Sequence, residues 1–394
     1  MLADRMARVE PSRLLELIAQ GQALRRQGVA FTDLGPGQPD FPVPGLILDA
    51  TARALREGHT YYSPVMGIPA LREAVAERYN RRYGAAYSAA NVMVTAGAKG
   101  ALYHVMGAHL NPGDEVVIPA PYYASTPEIV KLWGGVPRFL PCRIEDGFLP
   151  DPGGIAALCG PRTRGIVLNS PSNPTGAVIP EPLLRDVASL AESKGLFVIV
   201  DECYDRYLYD GIGYATAPHV DPEARLPFYV AGSFSKTFSM TGYRLGYAVG
   251  PKEGIAAAGL IQSHSMNGAV TFAQFGGLAA LAHEDELFAP ILEDYARRRE
   301  VLFEGLSSIP GVVCRKPDGA FYAFPEVRGL MERLGAADTD ALAAILLADA
   351  SVMAIPGGVL GLEGFMRFSF AVPEPQIREA VGRIAALAAR ASRG

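Results

Sequence analysis

Cysteine is scarce and scattered in this chain: the four, Cys142, Cys159, Cys203 and Cys314, form no C-x-x-C pair. That spacing argues against a zinc site and provides no disulfide framework, so free thiols in a reducing cytoplasm are expected. No apolar run reaches the roughly eighteen residues that a membrane helix needs, and ALAAILLADA at 341–350 is too short. A basic excess is missing as well: the net charge of -5 is not that of a nucleic-acid binder, though a local basic pocket for a phosphate is compatible with it. The six histidines, at 59, 104, 109, 219, 264 and 283, have no metal-ligand spacing. Neither a Walker-type loop nor a G-x-S-x-G elbow occurs. The opening MLADRMARVEPSR alternates charge without an apolar segment, so no secretory leader is expected there. Metal, nucleic acid and membrane therefore drop out as expected partners.

What is present is ordinary globular material, 49% hydrophobic and 20% charged over 394 residues, enough for a large domain and a smaller companion. PSRLLELIAQGQALRRQG, residues 11–28, spaces Leu14, Leu17, Ile18 and Leu24 at helical period. It breaks at DLGPGQPDFPVPG, residues 33–45, where four prolines impose an extended, turn-rich connection. From about residue 90 to 250, short apolar runs (NVMVT, DEVVIP, RGIVLN, LFVIVD, FYVAGS, GYAVG) alternate with helical patterns such as EPLLRDVASLAESKG. Continuously apolar strands separated by helices predict a mostly parallel sheet covered on both faces. From about 285 a charged helix, LEDYARRREVLFEGL, opens a set of elements with its own rhythm. The expected division is residues 1–44 as an N-terminal arm and part of a small domain, 45–285 as the large domain, and 286–394 as the small α+β domain.

Ligands in open α/β sheets bind at the carboxyl ends of strands. Here those ends carry Asp201-Glu-Cys-Tyr204, Asn169-Ser-Pro-Ser-Asn173-Pro-Thr-Gly176, Ser233-Phe-Ser235-Lys236 with Arg244 shortly after, and Ala96-Gly97-Ala98-Lys99 opening a helix. Each group alone has a bland reading: a helix cap, a turn, a solvated lysine, close packing. An accidental gathering of an Asp, an Asn, a Lys, an Arg and several hydroxyls at one sheet edge is a poor account of all of them.

These segments resemble the fold-type I pyridoxal-phosphate enzymes, specifically the class I aminotransferases of the aspartate-aminotransferase group. The resemblance runs from Pro36-Gly-Gln-Pro-Asp-Phe41 to Arg367-Phe-Ser-Phe370, and S-x-S-K followed by G-Y-R-L-G is its most specific signal. It implies a large domain with a seven-stranded-type sheet and an enzyme moving an amino group between an L-amino acid and a 2-oxo acid. Lys236 matches the family's Schiff-base lysine, and a desolvated lysine suits both anchoring and proton transfer. Asp201 matches the carboxylate that keeps the cofactor ring nitrogen protonated. Tyr204 and Asn173 match the pair that hydrogen-bond the ring oxygen, and Tyr123 the ring that stacks on the pyridine. Arg244, Ser233, Ser235 and the N–H groups of Ala98 and Lys99 suit the phosphate. Arg367, with Asn173 and the backbone of Gly37, matches the clamp on the substrate carboxylate. Tyr62 resembles the tyrosine that reaches the neighbouring subunit's phosphate, which implies a homodimer.

Lys99 also sits where acid-specific relatives place a lysine for a distal carboxylate, and Arg13 is expected to add a second positive charge. An acidic partner such as aspartate, glutamate or 2-oxoglutarate is the resulting expectation. Lyases, cyclases, decarboxylases and oxidases reuse the same cofactor residues and stay open as alternatives. A cofactor-sensing DNA-binding regulator is not expected, because the arm begins almost at residue 1. The departures from the family pattern concern the substrate: Ser12-Arg13-Leu14, Ser63-Pro64-Val65-Met66-Gly67, and Pro356-Gly-Gly-Val-Leu-Gly361 without its usual aromatic.

Overall fold

The computed structural model describes residues 2–391. Helix α1 (Arg13–Arg26) is capped by Ser12, whose hydroxyl accepts from the Leu15 N–H, and leads to a short strand β1 (Thr32–Asp33). Helices α2 (Gly45–Arg56) and α3 (Pro69–Tyr83) follow, and Gly84 ends α3 in the left-handed conformation that glycine adopts without strain. The alternation then begins with β2 (Val92–Thr95), α4 (Gly97–His109), β3 (Glu115–Ala120), α5 (Ser125–Leu132) and β4 (Val136–Pro141). It continues through α6 (Pro152–Leu158), β5 (Thr163–Asn169), α7 (Glu181–Lys194), β6 (Phe197–Asp201), β7 (Phe228–Ser233) and β8 (Gly246–Val249). Helices α8 (Lys252–Ser265), α9 (Thr271–Ala282) and α10 (Glu284–Ser307) lead to β9 (Tyr322–Ala323), α11 (Arg328–Leu334) and α12 (Thr339–Ala350). Three short strands, β10 (Val352–Met353), β11 (Ile355–Pro356) and β12 (Met366–Ser369), precede the last helix, α13 (Glu374–Ala391).

Seven strands form one sheet in the order β2-β8-β7-β6-β5-β3-β4. All neighbours are parallel except at β8, which runs antiparallel to both β2 and β7. The GYAVG run is thus the reversed strand of an otherwise parallel sheet. No strand is expected from the sequence at β4, and the reason is chemical. VPRFLP contains two prolines and is largely exposed at the sheet edge, where a missing N–H is tolerated and no apolar run is required.

The central strands read as unbroken apolar runs because both their faces are covered. In β6, Val198 and Val200 join the core under α3 and α7, whereas Phe197 and Ile199 join the core under α4 and α8. A third core is built from α10, α13 and β12, and it takes in Tyr204, Tyr207 and Tyr209 from the segment after β6. That segment therefore ties the sheet edge to the C-terminal part. Helix α10 crosses the expected border at 285: Glu284 pairs with Arg78 of α3, and Phe288 already packs in the C-terminal core. Asp40 anchors the proline-rich connection to α10 through Arg298 at 2.8 Å. Among the described residues no helix is long and apolar enough to cross a membrane.

Candidate active site

Strand register brings the motif residues to one line. Asn169 lies opposite Asp201, which lies opposite Ala231; Ser233 lies opposite Gly246, which lies opposite Thr95. Above this edge is a cavity of about 580 Å³. Its wall includes Lys236, Asp201, Tyr204, Asn173, Arg244 and Arg367, and also Ser233, Ser235, Ala98, Lys99, Tyr123 and Gly37.

Lys236 donates from Nζ to the Gly37 carbonyl, and its own carbonyl accepts from the Tyr207 hydroxyl at 2.8 Å. Burial lowers its amine to about 8, against the opposing pull of Cys203 and Asp201. Asp201 is buried, and burial raises its carboxyl although the Cys203 N–H donates to Oδ1 at 3.1 Å. A buried carboxylate and a poised amine thus face one space.

Two glycines shape an anion cradle. A Cβ at Gly246 would lie 2.5 Å from the Gly97 carbonyl carbon and 2.6 Å from the Ala98 nitrogen. Its absence lets the start of α4 lie directly on β8. A Cβ at Gly97, itself at φ +75°, would lie 2.9 Å from Arg244 Nη2. The guanidinium therefore sits against the α4 N-terminus, where free N–H groups and the helix dipole favour an anion. The Ser233 hydroxyl lies nearby on the same edge, accepting from the Ser235 N–H at 3.0 Å.

Arg367, on β12, is almost fully buried. It donates to Asn173 Oδ1 at 2.9 Å and to the Gly35 carbonyl at 2.7 Å, while its buried Nε has no partner. Its guanidinium stacks over Tyr322 at 4.4 Å, and the Tyr322 hydroxyl meets that of Tyr204 at 2.7 Å. A Cβ at Gly37 would lie 2.7 Å from the same hydroxyl, so this close approach requires glycine.

Two expectations fall outside the cavity wall. Tyr62 is 90% exposed and far from enclosed. Arg13 turns away: its guanidinium pairs with Asp340 at 3.1 Å and with Glu16 at 3.2 Å on the surface. Arg25, twelve residues further along α1, lines the cavity instead, paired with Asp33. Helical periodicity signals a buried face but cannot say which charged residue at its margin meets a cavity. Tyr322 was equally invisible, because Ala-Phe-Tyr-Ala-Phe reads only as a core strand. Asn169 stands in the motif region itself: it accepts from the Asn173 N–H at 2.6 Å and donates to the Asp201 carbonyl at 2.9 Å, holding the loop to the strand end.

The site meets the chemical requirements of pyridoxal phosphate. It has a buried amine with a lowered pKa, a buried carboxylate for the ring nitrogen, and a cationic cradle with helix N–H groups. The family described as aminotransferase class I and II matches residues 30–384. A protein of Aquifex aeolicus named probable aspartate/prephenate aminotransferase is 38% identical, covering 97% of each chain. The aspartate/prephenate aminotransferase of Thermus thermophilus is 39% identical over 99% of each. The structure of the T. thermophilus aspartate aminotransferase with maleate superposes with a TM-score of 0.92 at 38% identity, covering 98% of this chain and 99% of that one.

Proposed function

The chain belongs to the class I and II aminotransferases, which depend on pyridoxal phosphate, and on that premise we propose that one of its two partners is a dicarboxylic amino acid or 2-oxo acid. The observation that carries this reading is the meeting of the buried Lys236 amine with Asp201 and the Arg367 guanidinium in one cavity that also has Lys99 in its wall. Bound there, the cofactor would supply an aldehyde as the amino-group carrier and an electron-withdrawing ring.

The protein's own residues do the rest in this reading. Lys236 anchors the cofactor and, once freed, its neutral amine takes and returns the α-proton. Asp201 holds the proton on the ring nitrogen, and burial makes a cationic partner valuable to it. Arg244, Ser233, Ser235 and the N–H groups of Ala98 and Lys99 would hold the phosphate. Tyr123 would stack on the ring. Tyr204 and the amide nitrogen of Asn173 would hydrogen-bond the ring oxygen, while the Asn173 carbonyl keeps Arg367 in place for the α-carboxylate, beside Gly37.

Lys99 is the cation we assign to the partner's second carboxylate. Its ammonium lies 5.7 Å from the Tyr123 ring centre, at the mouth of α4. The relatives named for aspartate and prephenate support a dicarboxylic partner. Lys99→Ala is expected to lower kcat/KM for the acidic partner by about 10–150-fold, the worth of a charge-assisted contact of roughly 1.5–3 kcal/mol. Neutral partners should change little. Equal losses for both would show that Lys99 serves the phosphate instead.

Around this site we read residues 1–44, 45–285 and 286–394 as arm, large unit and small unit, supported by the separate apolar cores. We read the active form as a cytoplasmic homodimer. The exposed Tyr62, beside a Tyr61 carbonyl held by the Thr271 hydroxyl at 2.6 Å, supports the dimer; four free thiols support the compartment.

A further inference from the structure

The cavity wall contains one ion pair that no role above uses. Arg25 of α1 and Asp33 of β1 both line it, with Nη2 and Oδ2 3.0 Å apart. The Asp33 side chain is 13% exposed and that of Arg25 54%, so the carboxylate is the fixed partner and the guanidinium the one open to solution. Asp33 is held from the other side too, because its Oδ1 accepts from the Gly35 N–H at 3.0 Å. The Gly35 carbonyl in turn accepts from Arg367. A continuous chain of contacts therefore runs from the group that receives the substrate's α-carboxylate to the guanidinium of Arg25.

The same wall holds Leu14, Ile18 and Gln22 on α1, and Met353 and Ile355 on β10 and β11. Asp33, largely enclosed, is the partner whose charge is weakly screened, whereas the exposed Arg25 guanidinium is free to meet a ligand from solution. Arg25 rests over the Phe31 ring at 5.1 Å, which limits where the guanidinium can move. Its described hydrogen bond uses Nη2 alone, and a guanidinium has five donors.

We infer that Arg25 is a specificity-determining residue that binds the distal carboxylate of a dicarboxylic partner, and that Asp33 positions it while partly neutralising its charge. The inference rests on the reading of an acidic partner given above. It assigns to Arg25 the second positive charge that Arg13, held by Asp340, does not bring. Asp33 lets the same wall accept an uncharged side chain: with no second carboxylate present, Arg25 keeps its carboxylate partner, and Leu14, Ile18, Met353 and Ile355 receive the apolar group. An aminotransferase must take two partners in turn at one site, and this pair would suit one acidic and one apolar partner.

The test is equilibrium binding of succinate, a dicarboxylate without an amino group, and of butyrate to the holoenzyme by calorimetry. The wild type is expected to bind succinate more tightly. Arg25→Met should weaken succinate binding about tenfold or more and change butyrate by less than about twofold, since one charge-assisted contact is removed. Unchanged butyrate binding also reports an intact site. Asp33→Asn keeps an oxygen for the Gly35 N–H but turns an amide N–H toward Arg25 Nη2, so the guanidinium loses its positioning partner and succinate binding should weaken about threefold or more while butyrate stays within about twofold. Succinate binding that survives Arg25→Met, equal losses for the two ligands, or no weakening in Asp33→Asn would each overturn the inference while the acidic-partner reading stands. A wild type that binds both ligands alike would overturn that reading, and this inference with it.

Discussion

Arg367 and Asn173 lie 194 positions apart, yet Nη1 of one and Oδ1 of the other meet at 2.9 Å. The bond joins β12 of the C-terminal part to the loop after β5, so the carboxylate clamp is set by both parts of the molecule. Arg367 is otherwise fixed by the Gly35 carbonyl and the Tyr322 ring, which leaves the buried Nε without a partner and one N–H on each Nη free of these bonds. Arg367→Lys keeps the charge but loses the planar fork. It should lower kcat/KM about 10–150-fold for every substrate with an α-carboxylate, the worth of one charged hydrogen bond of roughly 1.5–3 kcal/mol. Steady-state kinetics with acidic and neutral donors checks this; a loss confined to acidic donors would move Arg367 to the distal end.

Lys236 should carry the cofactor. Borohydride reduction and peptide mass mapping are expected to find the pyridoxyl group on the peptide containing Lys236. An adduct on Lys99 or Lys252 would refute the assignment.

The pH behaviour of that lysine follows from its burial. Only the neutral amine attacks an aldehyde. With the amine lowered to about 8, cofactor capture by the cofactor-free protein should accelerate as pH rises through about 8 and level off above it. Stopped-flow absorbance measures the profile, and an inflection near 10 would mean an exposed lysine. Because the folded pKa lies below the ordinary 10.5, the unfolded chain binds more protons between those values. The cofactor-free fold should therefore gain stability as pH rises from about 8 toward 10.5, a gain that Lys236→Met removes.

Asp201→Asn should fold normally but react poorly. Losing one partner of a buried charge pair costs about 3–5 kcal/mol, which in the transition state is roughly 10²–10⁴ in rate. Thermal melting with single-turnover kinetics separates the two effects. A loss below tenfold would mean that another group protonates the ring.

Tyr62 is expected to serve the neighbouring subunit. Tyr62→Ala and Lys236→Ala are each expected to be impaired, but in a mixed dimer one site would combine an intact Lys236 with an intact Tyr62. Subunit exchange should therefore restore activity, read against sedimentation of the mixture. A fully active monomer would exclude the idea.

The chemistry of this protein is legible along the chain because its groups are local to strand ends. S-x-S-K, N-P-T-G and D-E-C-Y each follow a short apolar run, and parallel packing aligns such ends without any knowledge of distant contacts. The unbroken apolar runs likewise require a sheet buried on both faces. Strand β4 escapes such reading because an exposed edge leaves no apolar trace. The tertiary structure alone decided which charges meet across long separations. Arg13 and Arg25 share a helix and a charge, yet one is drawn to Asp340 on the surface and the other to Asp33 in the cavity wall. Tyr322 meets Tyr204 and Arg367 only once the C-terminal core has closed on the sheet edge. Local pattern specifies which face of an element is buried; the partner across that face depends on packing between elements far apart in sequence, which no local spacing encodes.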